Sequence, residues 1–239
     1  MILNALVCLA IAAVRARSSQ NFLRESADTV SVWISGRRLD RLHVRGGPFF
    51  GWRFLTRADW WQSHPYSLSA APKPGALRLT VKALGDASTR TLSLAPGTRD
   101  LLEGPYGGMT MDQAEGRRVL LIGAGVGLAP MRALLEDTTI ANAPLVLARA
   151  HSAEDLPLAA EFDQMARARG GAMIPVTGPR TTFPGGNPFT AEALAANIPD
   201  LRARAAFVCG PKSLQDRVCR ELERAGVPRD QIHSERFGW

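Results

Sequence analysis

Val119 to Leu135, VLLIGAGVGLAPMRALL, constrains the fold more than any other stretch of the chain. A run of Val, Leu and Ile gives way to Gly123, Gly125, Val126 and Gly127, then to Pro130 and an apolar, helix-favouring tail. That order spells strand, tight turn, helix. Glycine lets the chain turn sharply and lets a ligand approach the backbone. The start of the following helix carries unpaired N–H groups and a partial positive charge, which suits a phosphate. Pro130 costs nothing there, because the first helical turn leaves its N–H position unpaired anyway. A strict dinucleotide fingerprint wants a third glycine where Leu128 stands. Alone, the stretch fits a nucleotide-binding loop and an ordinary strand-to-helix turn equally well.

The pattern around it decides the architecture. After Gly116 strands and helices alternate: strands at Val119–Ile122, Leu145–Ala150, Ala172–Val176 and Ala205–Cys209. Helical stretches run from about Ala129 to Asp137, Leu158 to Arg169, Thr190 to Ala196 and Lys212 to Ala225, and Gln231–Phe237 reads as a last strand. Alternation of this kind predicts an α/β parallel sheet with helices on both faces, over residues 114–239. Residues 21–113 read as β, with strands at Thr29–Ser35, Phe49–Leu55, Ala76–Leu84 and Thr98–Leu102 between Gly/Pro turns. One short helix fits between Asp86 and Leu94, capped by Asp86 or Ser88. Short strands with regular turns predict a closed antiparallel barrel or a sandwich. The boundary falls near Met109–Arg117.

Residues 1–20 form a separate apolar segment. MILNALVCLAIAAV is followed by Arg15 and Arg17. It is shorter than the ~20 apolar residues a spanning helix needs, and a signal peptide carries its charge before the apolar run. It reads as the tail of a membrane helix with a cytoplasmic arginine flank, or as a short amphipathic helix. The chain carries a net charge of +7, and all but three of its 29 basic residues are arginine. The arginines are scattered, so no nucleic-acid footprint is indicated; an anionic cofactor, an acidic partner or the inner face of a membrane suits the field. Three cysteines without a CxxC pair exclude a disulfide framework, a cysteine-held iron–sulfur cluster and a structural zinc site. A cytoplasmic setting fits. No histidine spacing marks metal or haem ligands.

Four further stretches stand out. HPYSLS, His64 to Ser69, opens a barrel strand with a ring that can stack and a hydroxyl that can hydrogen-bond. LEGPYGG, Leu102 to Gly108, makes a loop with exposed backbone N–H groups. FVCGP, Phe207 to Pro211, ends a sheet strand at the carboxyl edge, where ligands bind in such folds. Last comes ERFGW, Glu235 to Trp239. Singly, each has a plain structural reading as a strand start, a turn, a strand-to-helix break or a packed tail.

In this order, on these elements, they resemble the ferredoxin–NADP reductase superfamily over nearly everything after residue 28. HPYSLSAAP with VKALGD is more narrowly similar to the dehydrogenase part of the ferric reductase and NADPH oxidase family. The resemblance implies an FAD-binding Greek-key barrel followed by an NADP-binding domain. It implies that His64, Pro65, Tyr66, Ser67 and Leu68 bind the flavin, with Tyr66 stacked on the isoalloxazine and Ser67 beside N5. Lys82 and the Gly85–Ser88 turn are expected at the FAD phosphates and ribose, and Gly104, Pro105, Tyr106 and Gly107 beneath the flavin. Gly123 to Pro130 is expected to hold the NADPH pyrophosphate, and Cys209, Gly210 and Pro211 to lie by the nicotinamide. Glu235 and Phe237 match the terminal acid–x–aromatic pair, with Phe237, or else Trp239, covering the flavin. Ser67, Cys209, Glu235 and Phe237 are thus the catalytic candidates. Hydride transfer needs the two rings in a defined stack, which the protein orients.

The second strand of the α/β half ends in Arg149 with Ser152 nearby and no acid until Glu154; Arg180 follows the third strand. Arginine there accommodates a 2′-phosphate, whereas an acid would bind the NAD ribose, so NADPH is favoured over NADH. The expected function is transfer of electrons from NADPH through FAD to haem, ferric iron or oxygen, with a haem-bearing membrane domain as partner. The alternatives are a soluble reductase of a separate electron-carrier protein, and a non-catalytic partner-binding fragment. The first barrel strand is thin, since Asn21-Phe22-Leu23 runs into polar residues, and it suggests a weakened barrel.

Overall fold

The computed structural model describes residues 14–36, 39, 42 and 44–235. The barrel half contains β1 (Val14–Ser26), β2 (Thr29–Gly36), β3 (Phe49–Phe54), β4 (His64–Ser67), β5 (Ala76–Lys82), the short helix α1 (Asp86–Thr91) and β6 (Arg99–Tyr106). Their antiparallel order is β4-β3-β6-β1-β2-β5. A bridge between Leu68 and Leu79, with the Ser69 N–H donating to the Arg78 carbonyl at 2.9 Å, brings the first and last strands together and closes the barrel. Closure removes the unpaired edges an open sheet would present. Trp52, Phe50, Phe54, Leu77, Leu79, Val81 and Ile34 fill the interior, each fully buried apolar side chain stabilising the barrel by about 1.5–3 kcal/mol.

The barrel departs from its sequence pattern in two places. Strand β1 starts at Val14, so residues 14–20, grouped by sequence with the apolar segment, pair with β2 and β6. The first strand is therefore 13 residues long rather than thin; it is recruited by ladder hydrogen bonds on both sides rather than by alternating apolar residues. The remainder of the apolar segment, residues 1–13, lies outside the described residues. No helix among the described residues is long and apolar enough to cross a membrane. Second, β5 is buried on both faces: Arg78 and Thr80 are covered as fully as the core residues between them. The cover is the other half of the molecule.

That half contains β7 (Val119–Ala124), α2 (Leu128–Glu136), β8 (Leu145–Arg149), α3 (Ala159–Arg167), β9 (Ala172–Val176), α4 (Ala191–Asn197), β10 (Ala205–Cys209), α5 (Lys212–Arg224) and β11 (Ile232–Ser234). The sheet is parallel in the order β11-β10-β7-β8-β9. Every residue of β7 is buried, as a central strand covered on both faces requires. Helices α2 and α3 pack Leu128, Met131 and Phe162 on one face of the sheet. Helices α4 and α5 pack Leu194, Val218 and Leu222 on the other. The strand order reverses between β7 and β10, and in such sheets the crevice beyond the carboxyl ends at that reversal is where ligands bind.

Candidate functional site

At the reversal, the glycine-rich turn and the end of β10 meet. Gly125–Gly127 form a single 3-10 turn between β7 and α2. A Cβ on Gly127 would stand 2.5 Å from the Cys209 carbonyl oxygen, so only glycine lets the turn close against β10. A Cβ on Gly123 would stand 2.7 Å from the Leu128 side chain. Leu128 therefore occupies the space that the missing third glycine would leave, buried beneath the turn. Nothing lies within 4 Å of the corresponding position on Gly125, whose φ of +54 turns it into open space. Pro130 sits in the first turn of α2.

Across the crevice, Cys209 is fully buried. Burial, reinforced by the nearby Glu235 carboxyl, pushes its thiol well above its ordinary range, so it stays protonated and non-nucleophilic. Gly210 and Pro211 lead directly into α5. The Gln215 side chain donates to the Gly210 carbonyl at 3.0 Å and to the Glu235 carbonyl at 2.7 Å, fastening the two segments together. Sequence reading missed Gln215. Its signal is that it shares the buried face of α5 with Val218 and Leu222, a polar residue on an apolar stripe.

Glu235 connects this edge to the barrel. A Cβ on Gly107, whose φ is +83, would stand 1.6 Å from Glu235 Oε1, so the glycine makes room for the carboxyl group. Burial pushes the Glu235 carboxyl up to about 7, against the opposing pull of the Gly108 N–H. Glu235 thus changes charge near neutrality. Its companions Phe237 and Trp239 lie outside the described residues. Gly104 and Pro105 are joined by a cis peptide bond, and Tyr106 donates its hydroxyl to Glu103 at 2.7 Å.

On β4 and just beyond it, three polar side chains lack partners. His64 Nε2 and the hydroxyls of Ser67 and Ser69 are buried without a hydrogen-bond partner among the described residues. Burial lowers the His64 pKa, with Asp59 opposing and Arg90 reinforcing the shift, so the imidazole is neutral. The Tyr66 hydroxyl lies 3.5 Å from Thr91 Oγ1 on α1. Helix α1 is itself tied down by Arg90, which donates to Asp59 Oδ1 through Nε at 2.9 Å and Nη2 at 2.7 Å. Its N-cap is Gly85 rather than Asp86 or Ser88: Ser88 reaches back to accept from the N–H groups of Leu84 and Gly85 at 2.8 and 3.0 Å.

A cleft of about 460 Å³ joins the halves and brings together Lys82, Gly125, Arg149 and Arg180, with His151 and Asp28 among its other walls. Lys82 pairs with Asp28 at 3.1 Å. Arg149 donates to the carbonyls of Val176 at 2.9 Å and Gly178 at 2.6 Å and lies over the Phe183 ring. Burial, with Arg180 nearby, lowers its pKa. Arg180 is the freer cation in the cleft. Ser152 donates to Asp155 at 2.8 Å instead. Among the described residues no cluster of His, Cys, Asp or Glu could hold a metal ion.

Residues 121–220 match the oxidoreductase NAD-binding domain family. The chain is 27% identical over 225 residues to an NADPH oxidoreductase of Mycobacterium tuberculosis, covering 90% of this chain and 57% of that protein. It is 31% identical over 176 residues to the ferredoxin–NAD(+) reductase component of an alkene monooxygenase system of Xanthobacter autotrophicus, covering 68% of this chain and 53% of that one. The chain has the fold of a ferredoxin–NADP reductase, and its sheet half matches an oxidoreductase NAD-binding family. That fold is plain in the flavohem-like FAD/NAD-binding domain of a nitric oxide dioxygenase from Vibrio cholerae, with a TM-score of 0.76 at 23% identity, covering 95% of this chain and all of that one. The chain spans little more than half the length of those two curated relatives.

Proposed function

We propose that this chain is an FAD-dependent NAD(P)H oxidoreductase that takes electrons from NADPH and delivers them to an acceptor. The observation that carries the reading is the meeting of Gly107 with Glu235, of Glu235 with Cys209 and of Cys209 with Gly127, from segments far apart in sequence, at the carboxyl edge of the sheet beside the barrel. The fit to a flavin rests on β4. Unpartnered buried polar atoms cost about 1–3 kcal/mol each, so His64, Ser67 and Ser69 are arranged for a ligand with polar edges to complete them.

Residues 14–113 are the proposed FAD-binding unit and 114–239 the nicotinamide-nucleotide unit. Tyr66 offers its ring for stacking, and the Ser67 hydroxyl its donor and acceptor capacity at the flavin edge. Lys82, Gly85, Ser88 and the Gly104–Gly107 loop hold the FAD phosphates, ribose and ring underside. Gly123–Pro130 presents backbone N–H groups to the NADPH pyrophosphate. Arg180 and Arg149 face its 2′-phosphate, which favours NADPH over NADH, with Ser152 beside them. Cys209, Gly210 and Pro211 shape the nicotinamide place as neutral, packed groups. Glu235 takes up or gives a proton near neutral pH, and Phe237 or Trp239 supplies the cover over the flavin. FAD, once bound, supplies the change from two-electron to one-electron chemistry.

Haem, ferric iron, oxygen and a carrier protein all remain candidate acceptors. The Xanthobacter relative is a component of a multi-component system, which supports a separate electron-carrier protein. The likeness of HPYSLSAAP and VKALGD to ferric reductases and NADPH oxidases supports a haem-bearing membrane partner, and with it a place at the inner face of the membrane. The test is anaerobic mixing of FAD-loaded protein with NADPH or NADH, followed by ferricyanide, a ferredoxin and a ferric chelate. Bleaching of the flavin colour faster with NADPH is expected. Bound FAD that neither nucleotide bleaches would sink the proposal.

A further inference from the structure

The two halves are joined by a run of buried and half-buried charges that none of the cofactor motifs includes. Arg78 on β5 is 3% exposed although it carries a full charge. It donates to Glu25 at 2.9 Å and to both carboxylate oxygens of Glu161 on α3 at 2.8 Å. Glu161 also accepts from Nε of Arg132 on α2 at 2.5 Å. Nη1 of Arg132 then donates to the Ser69 carbonyl at 2.8 Å. One turn along α2, Glu136 pairs with Arg132 at 3.2 Å and accepts from the Ala71 N–H. The helix whose first turn follows the glycine loop is thus fastened to the backbone that continues directly from Ser67.

We infer that Arg132, held by Glu161 and Arg78, is a positioning residue that sets the distance between the nicotinamide loop and Ser67. The inference rests on the reductase reading. Hydride transfer is steep in geometry, since a misplacement of about 1 Å from a distant change costs ~100-fold in rate. Only a planar guanidinium spans the Glu161 carboxylate and the Ser69 carbonyl at once; a lysine ammonium keeps the charge but is a single point. The rival is a brace that does nothing beyond stabilising the fold.

The test compares wild type with Arg132→Lys and Glu161→Gln, both milder than truncations that strand a buried charge. Stopped-flow reduction by saturating NADPH is measured per bound flavin. Both variants should slow this step by about 10- to 100-fold, with FAD content and KM for NADPH unchanged. An unchanged rate per flavin, or a loss that only follows FAD content or melting temperature, overturns the positioning role. Hydrogen exchange of FAD-free protein provides a second readout, in which the Ser69 and Ala71 amides should exchange faster in both variants while β2 does not change. If wild-type FAD is not reduced by NADPH, the reductase reading falls and the fastening is judged by exchange alone. Unchanged exchange at Ser69 and Ala71 then overturns it.

Discussion

Ser67 is buried with a hydroxyl that no described residue satisfies, a cost that the polar edge of a flavin would repay. Ser67→Ala removes the hydroxyl and leaves the backbone pairing with Phe49 intact. Hydride transfer should slow about tenfold, the share of one hydrogen bond, with FAD retained; loss of FAD without a rate effect would contradict the role. Asp100 has the opposite problem. It faces the barrel interior with both carboxylate oxygens unpaired among the described residues, and burial pushes it from its ordinary 3.8 up to about 7. The native state therefore keeps this proton to a higher pH than the unfolded chain does. The contribution of Asp100 to stability is full at acid pH and falls as pH rises from about 4 to about 7, then levels. Asp100→Asn should flatten that decline, read from urea midpoints on either side of the interval; an unaltered slope would rule Asp100 out as its source. Residues such as these were legible unevenly. His64 to Ser69 announced itself because its members are consecutive. The fastening at Arg132 and Glu161 did not, because its partners lie 29 to 83 residues apart and share no local spacing.

At the scale of elements, two strands were marked to the residue by their apolar runs, the wholly buried β10 and the largely exposed edge strand β9. The bounds of β9 and β10 coincide with the runs Ala172–Val176 and Ala205–Cys209. The first part of β1, residues 14–20, escaped because ladder pairing holds it, and ladder pairing leaves no pattern in the side chains. The turn between β7 and α2 was legible in outline, yet the reason for Gly127 appears only where β10 presses on it. Gly127→Val forces a branched side chain against the Cys209 backbone, 2.5 Å from where its Cβ would lie. Reduction by NADPH should be lost while dithionite still bleaches the bound FAD. A variant that keeps NADPH-driven reduction would show that the turn tolerates widening.

For the whole molecule, the cleft that joins the halves sets Lys82, Arg149 and Arg180 against Asp28 and Asp155, and Lys82 is already paired with Asp28. Arg149 already spends its donors on backbone carbonyls, so Arg180 should carry the selectivity. Arg180→Ala should weaken NADPH about tenfold or more, the value of a hydrogen bond between charged groups, with NADH unaffected; equal weakening of both would locate the 2′-phosphate elsewhere. The chain passes from the first sheet to the second only once, between Tyr106 and Val119. Everything else that unites the halves is non-covalent, and Glu115 and Gly116 sit exposed in the middle of that passage. The molecule should therefore tolerate a break there. Two separate polypeptides meeting at that point, made in the same cell, should find each other and copurify as a complex, which would make the chain a scaffold for a split reporter whose signal depends on reassembly.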